Sequence, residues 1–63
     1  MRRAIEAVLG SAGEMRARDT HLAVEQMLGQ HITASSVKNC LAANSEGTAP
    51  SFIRVGRGRY RLA

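Results

Sequence analysis

Aromatic residues are almost absent from this chain: Phe52 and Tyr60 are the only two, and there is no tryptophan. Recognition of single-stranded nucleic acid relies on rings that stack on bases, so a pair of aromatics argues against that mode. Cysteine occurs once, as Cys40. No disulfide can close within the chain, and the expected setting is a reducing compartment. No segment approaches the roughly 18 consecutive apolar residues of a membrane span. Met1-Arg2-Arg3 opens with positive charge, but Glu6 breaks the apolar run that follows, so no signal peptide is expected. The expectation is a soluble cytoplasmic protein, or one module of a longer chain.

Acidic residues are missing from one stretch in particular. Phe52 to Ala63 contains Arg54, Arg57, Arg59 and Arg61 and no acid. The preceding residues hold five bases (Arg2, Arg3, Arg16, Arg18, Lys38) and five acids (Glu6, Glu14, Asp19, Glu25, Glu46). That part sums to zero, so the net charge of +4 sits in the tail. A neutral body with a basic end points to a polyanionic partner.

With 63 residues the chain makes one small domain, of a size that buries only about 60% of its unfolded surface. Arg2 to Leu9 is amphipathic at helical spacing, with Ala4, Ile5, Val8 and Leu9 on one side. Gly10-Ser11-Ala12-Gly13 is expected to end it. Glu14-Met15-Arg16 reads as a short extended piece. A second helix is expected over 17–28, with Ala17, Thr20, Ala23, Val24, Met27 and Leu28 on its apolar arc and Gly29 as its stop. Leu22 falls on the polar side with Arg18, Asp19, Glu25 and Gln26. Gln30-His31-Ile32 makes a turn, and Thr33 is placed to cap a third helix over 34–44. There Val37, Cys40 and Leu41 share the inner face, while Ser35, Lys38, Asn39 and Ala42 point outward. After a polar loop, 52–62 alternates apolar and basic residues around Gly56-Arg57-Gly58, a hairpin pattern. A two-residue turn puts Ile53, Val55, Tyr60 and Leu62 on one face and Arg54 and Arg61 on the other. A three-residue turn regroups them, and the register stays open. The hairpin needs support from the helices and from Met15 in a third strand beside it. The expected core is Ile5, Val8, Leu9, Met15, Val24, Met27, Leu28, Ile32, Val37, Leu41 and the apolar side of the hairpin.

The order helix, short strand, helix, turn, helix, hairpin resembles the winged helix-turn-helix family, over about Ile5 to Leu62. Two stretches carry the likeness. One is Arg18 to Leu41, with Thr33-Ala34-Ser35-Ser36-Val37-Lys38 opening the third helix. The other is Phe52-Ile53-Arg54-Val55-Gly56-Arg57-Gly58-Arg59-Tyr60-Arg61-Leu62, which looks like a wing. Within the family it is similar to small bacterial modules, including the HARE-type group, that accompany DNA-modifying and transcription proteins. The resemblance implies an α+β fold of three helices and a small antiparallel sheet. It also implies double-stranded DNA as partner, with the third helix in the major groove and the wing on the backbone or minor groove.

The matching DNA-binding positions are Ser35, Ser36, Lys38 and Asn39 on the third helix and Arg54, Arg57, Arg59 and Arg61 on the wing. Their chemistry suits the role. Lysine and arginine donate to guanine or phosphate, asparagine pairs with adenine, and serine bonds to either. The plainer reading of the same residues is a solvated helix face and a charged edge that discourages aggregation. Catalysis is not expected: there is no Ser-His-acid grouping, phosphate loop or paired buried carboxylate. No metal site is expected either, because His21 and His31 lie ten apart with no acid or cysteine at ligand-like spacing. Cys40 reads as a packing residue. No cofactor, membrane or small-molecule substrate is implied. The alternative function is docking an acidic protein partner, or a fused domain, through the same fold. Structured RNA, bound by shape, is a third.

Overall fold

A computed structural model describes all residues, 1–63. The elements run α1 (Arg2–Ala12), β1 (Glu14–Arg16), α2 (Ala17–Leu28), α3 (Ala34–Ala43), β2 (Phe52–Gly56) and β3 (Arg59–Leu62). The strands form one antiparallel sheet in the order β1-β3-β2. This is an α+β, winged-helix-type architecture, with the hairpin closing the C-terminal side of a three-helix body.

Helix α1 runs past its expected end. Gly10 stays helical and lies against β3, where a Cβ would sit 3.4 Å from Leu62 Cδ1. The chain leaves the helix only at Gly13, whose N–H donates to the Leu9 carbonyl at 2.7 Å. Helix α2 stops where expected, at Gly29 in the left-handed region (φ 66°), a conformation that costs glycine little.

Ile5, Val8, Leu9, Val24, Ile32, Val37, Leu41 and Phe52 form the buried core. Met15, Ala17, Ala23, Cys40, Tyr60 and Leu62 pack around it, half-buried. Thr20 joins the buried side of α2, and its hydroxyl donates to the Arg16 carbonyl at 3.0 Å. Met27 and Leu28 do not belong to the core: they are 51% and 43% exposed. Val24 is the last buried residue of α2. Beyond it Met27 borders an open groove beside α1 with Ala7, Ser11 and Met15, and the end of the apolar arc meets solvent. Leu22 is exposed, as its place on the polar side required.

The hairpin register also departs from the simple two-residue-turn reading. Gly56 does pair with Arg59 across Arg57-Gly58, but the next pair is Arg54 with Tyr60. Val55 is therefore the extra residue of a β-bulge. One inserted residue exchanges the faces of everything before it. Phe52 now pairs with Leu62 and is fully buried, while Ile53 sits opposite Arg61 and Val55 is exposed. Asn44 secures this arrangement. Its carbonyl accepts from the N–H groups of Ser51 (2.8 Å) and Phe52 (3.1 Å), and its side chain donates to the Cys40 carbonyl at the end of α3 (2.8 Å). The loop from α3 is thus pinned where β2 begins.

Candidate functional site

The outward face of α3 is free of tertiary packing. Ser35, Ser36, Lys38, Asn39 and Ala42 are all exposed, while Val37 and Leu41 anchor the opposite side. Thr33 occupies the N-cap position without a side-chain bond to the first helical N–H groups. Its hydroxyl instead pairs with that of Ser36 at 2.7 Å.

The four wing arginines are exposed but do not share one environment. Arg54 lies back on the Gly56 carbonyl (Nε, 3.3 Å), and Arg61 on that of Leu62 (3.3 Å). In the sheet, Arg61 sits opposite Glu14 and Arg59 opposite Arg16. Arg59 shares a shallow depression with Glu14, Arg16 and Asp19, so acids temper the charge on that side. Arg57 goes elsewhere. The Ala17 N–H donates to the Gly58 carbonyl at 2.7 Å, which fastens the tip of the wing to the start of α2. Gly58 adopts φ 70° there, a turn conformation suited to glycine.

That contact creates a cleft of about 350 Å³ where three elements and the wing tip converge. Arg16 comes from β1, Arg18 and His21 from α2, Lys38 from α3 and Arg57 from the wing. No acid lines it. The ion pairs of the molecule are Arg2–Glu6, His21–Glu25 and His31–Glu25, so none of these four cations has a carboxylate partner. A recess lined by one sign of charge concentrates its field and attracts the opposite ion. Of the residues singled out in the sequence, the cleft unites only Lys38 and Arg57. Arg16 and Arg18 escaped sequence reasoning because they lie in the electrically neutral part of the chain. Only the fold brings them to Lys38 and Arg57, while Arg16 also borders the depression that holds Glu14 and Asp19.

Glu25 is the other residue that sequence reading missed. Its spacing places it on the polar side of α2, yet its carboxylate ties down the turn between α2 and α3. Oε2 accepts from the Ile32 N–H at 2.9 Å and from His31 Nδ1 at 2.9 Å, and lies 3.5 Å from His21 Nε2. His21 Nε2 also bonds to the Ile32 carbonyl. The i,i+4 spacing of His21 and Glu25 was a visible sign of this cluster, but the approach of His31 was not. No set of three or more histidine, cysteine and acidic side chains is arranged to hold a metal ion.

The Ile32 N–H, more than the two imidazoles, holds the Glu25 carboxyl below its usual value, against the opposing effect of burial. A carboxyl lowered in the folded state adds stability above its unfolded pKa, and that stability is lost as pH falls through the folded value. On acidification from about pH 5 to about pH 3, the melting temperature of Glu25→Gln should therefore fall less than that of the parent protein. Parallel thermal melts followed by circular dichroism check this; equal falls would show that Glu25 carries none of the acid sensitivity.

No helix is long and apolar enough to cross a membrane. Comparison with protein-family models, with curated proteins and with solved structures finds no match to this chain. The three-helix body with its C-terminal hairpin has a shape compatible with winged-helix modules and with small nucleic-acid-binding domains.

Proposed function

We propose that this is a winged helix-turn-helix domain that binds double-stranded DNA, and that it serves as a module of a longer protein acting in transcription or on DNA itself. The observation that carries the reading is the cleft lined by Arg16, Arg18, Lys38 and Arg57 without a single carboxylate partner. Four unpaired cations held together repel one another unless an anion joins them. A backbone phosphate beside α3 supplies that anion.

In this reading α3 enters the major groove. Asn39 reads a base edge, Lys38 reaches a guanine or a phosphate, and Ser35 and Ser36 bond at the groove wall. Arg57 at the wing tip meets the backbone or a narrow minor groove. Arg54, Arg59 and Arg61 provide phosphate contacts along the flanks. A single module of this kind covers about 600–1,000 Å², and its affinity without a specific site is about 1–100 µM at physiological salt.

An NMR titration of the labelled protein with a short duplex tests the proposal. Shifts at Ser35 to Asn39 and at Arg54 to Arg61 that fade with salt are expected. Their absence at low salt, in a folded sample, would overturn it. Two substitutions then separate affinity from readout. Arg57→Ala should weaken binding alike on all sequences and reduce the salt slope by about 1. Asn39→Ala should change the sequence preference instead.

The exposed apolar residues Leu22, Met27 and Leu28 on α2 favour a second reading, docking of a protein partner. A domain that ignores duplex at low salt but binds an acidic protein would establish that reading in place of the first.

A further inference from the structure

His21 is the one histidine in the cationic cleft, and its bonding identifies where its protons sit. The Ile32 carbonyl, bonded to Nε2, can only accept, and so can the nearby Glu25 carboxylate. Nε2 therefore carries the hydrogen in the neutral ring, and any added proton goes to Nδ1. The charged groups around the ring come from every element packed there. Arg16 on β1, Arg18 on α2, Lys38 on α3 and Arg57 on the wing oppose a further positive charge. Glu25 favours it, and shares its carboxylate with His31 of the turn.

We propose that His21 is a further phosphate-binding group of this cleft, and that a DNA phosphate seated among Arg16, Arg18, Lys38 and Arg57 binds together with one proton taken up from solvent by the His21 ring. The inference rests on the DNA-binding reading above. A phosphate offsets the four cations that resist a charged ring, so phosphate and proton each favour the other. On release of the DNA, the same proton returns to solvent. Glu25, held below the usual carboxylate value, stays ionised throughout the range where imidazoles change charge.

The test is duplex affinity measured at constant ionic strength from about pH 8 to about pH 5.5, the range where imidazoles titrate. For the parent protein, affinity should rise by about fivefold or more across that range. His21→Gln, which keeps a donor for the Ile32 carbonyl, should show little or no rise. His31→Gln, which alters the exposed histidine on the same carboxylate, should retain it. Parent affinity that is flat with pH, or a His21→Gln variant with the parent's rise, would overturn the proposal while leaving DNA binding intact. No binding at any pH would remove both readings. NMR of the His21 ring in the parent protein gives the answer independently of the variant's folding. Its titration midpoint should move to higher pH when duplex is added, and an unmoved midpoint would count against the proposal.

Discussion

Phe52→Ala should remove most of the stability of this domain. Phe52 is fully buried, the largest of the buried side chains, and it joins the wing to the helices. Truncating a buried phenylalanine costs about 3–5 kcal/mol, because both its transfer free energy and its packing are lost. A chain of 63 residues has a total of about 3–9 kcal/mol at ordinary values per residue. The variant should therefore be largely unfolded or close to it at 25 °C, as read by urea denaturation. Leu41→Ala, inside α3, is expected to cost about 2–5 kcal/mol by the same mechanism. Ile53→Ala is the informative contrast. Ile53 occupies the opposite face of β2 and is only half-buried, so its truncation should cost clearly less. Equal losses at Phe52 and Ile53 would mean that the bulge at Val55 does not set the register.

Replacing Arg16, Arg18, Lys38 and Arg57 together with glutamine should nearly abolish duplex binding and leave the fold in place. All four side chains lie at the surface, none is in an ion pair, and none contributes to the core. Each phosphate neutralised contributes about 0.9 to the slope of log affinity against log salt. The four converge on one phosphate, so their loss should make that slope shallower by about 1, as measured by fluorescence anisotropy over a salt series. Arg16→Gln with Arg18→Gln alone is the sharper form of the experiment. These residues belong to the charge-neutral part of the sequence, and only their place in the cleft predicts a contribution. Duplex affinity unchanged by that pair would confine the interface to α3 and the wing.

Much of the architecture was legible in the residues. Helical spacing of Ile5, Val8 and Leu9 marked α1, and Val37 and Leu41 marked the buried side of α3. Gly29 marked the end of α2, and alternation around Arg57-Gly58 marked the hairpin. These signals are local: a periodicity or a glycine acts on the few residues beside it. The outward positions of Ser35, Ser36, Lys38 and Asn39 follow from the same spacing, because a helix with one buried side must expose the other.

What failed were inferences that required knowing where an element ends against its neighbours. Met27 and Leu28 carry the right periodicity, but no neighbouring element covers the last turn of that arc. Ile53 and Phe52 are adjacent apolar residues at the start of a strand, and either could face inward. The choice fell to Phe52 through the extra residue at Val55 and the hold of Asn44 on the chain. Glu25 reads as a solvated acid until the turn brings the Ile32 N–H and His31 to it.

The sequence by itself determined the order of the elements, most of the buried positions and the concentration of net charge in the last twelve residues. Each of these follows from short-range periodicity or from composition. Only the tertiary structure decided which charges act together. Arg16 and Arg18 join Lys38, His21 and Arg57, with Arg16 also bordering the depression where Arg59 lies near Glu14 and Asp19. Charges interact through distance in space, and that distance is set by the fastening of Gly58 to Ala17 and by the packing of α3 on α2, neither of which a local pattern records.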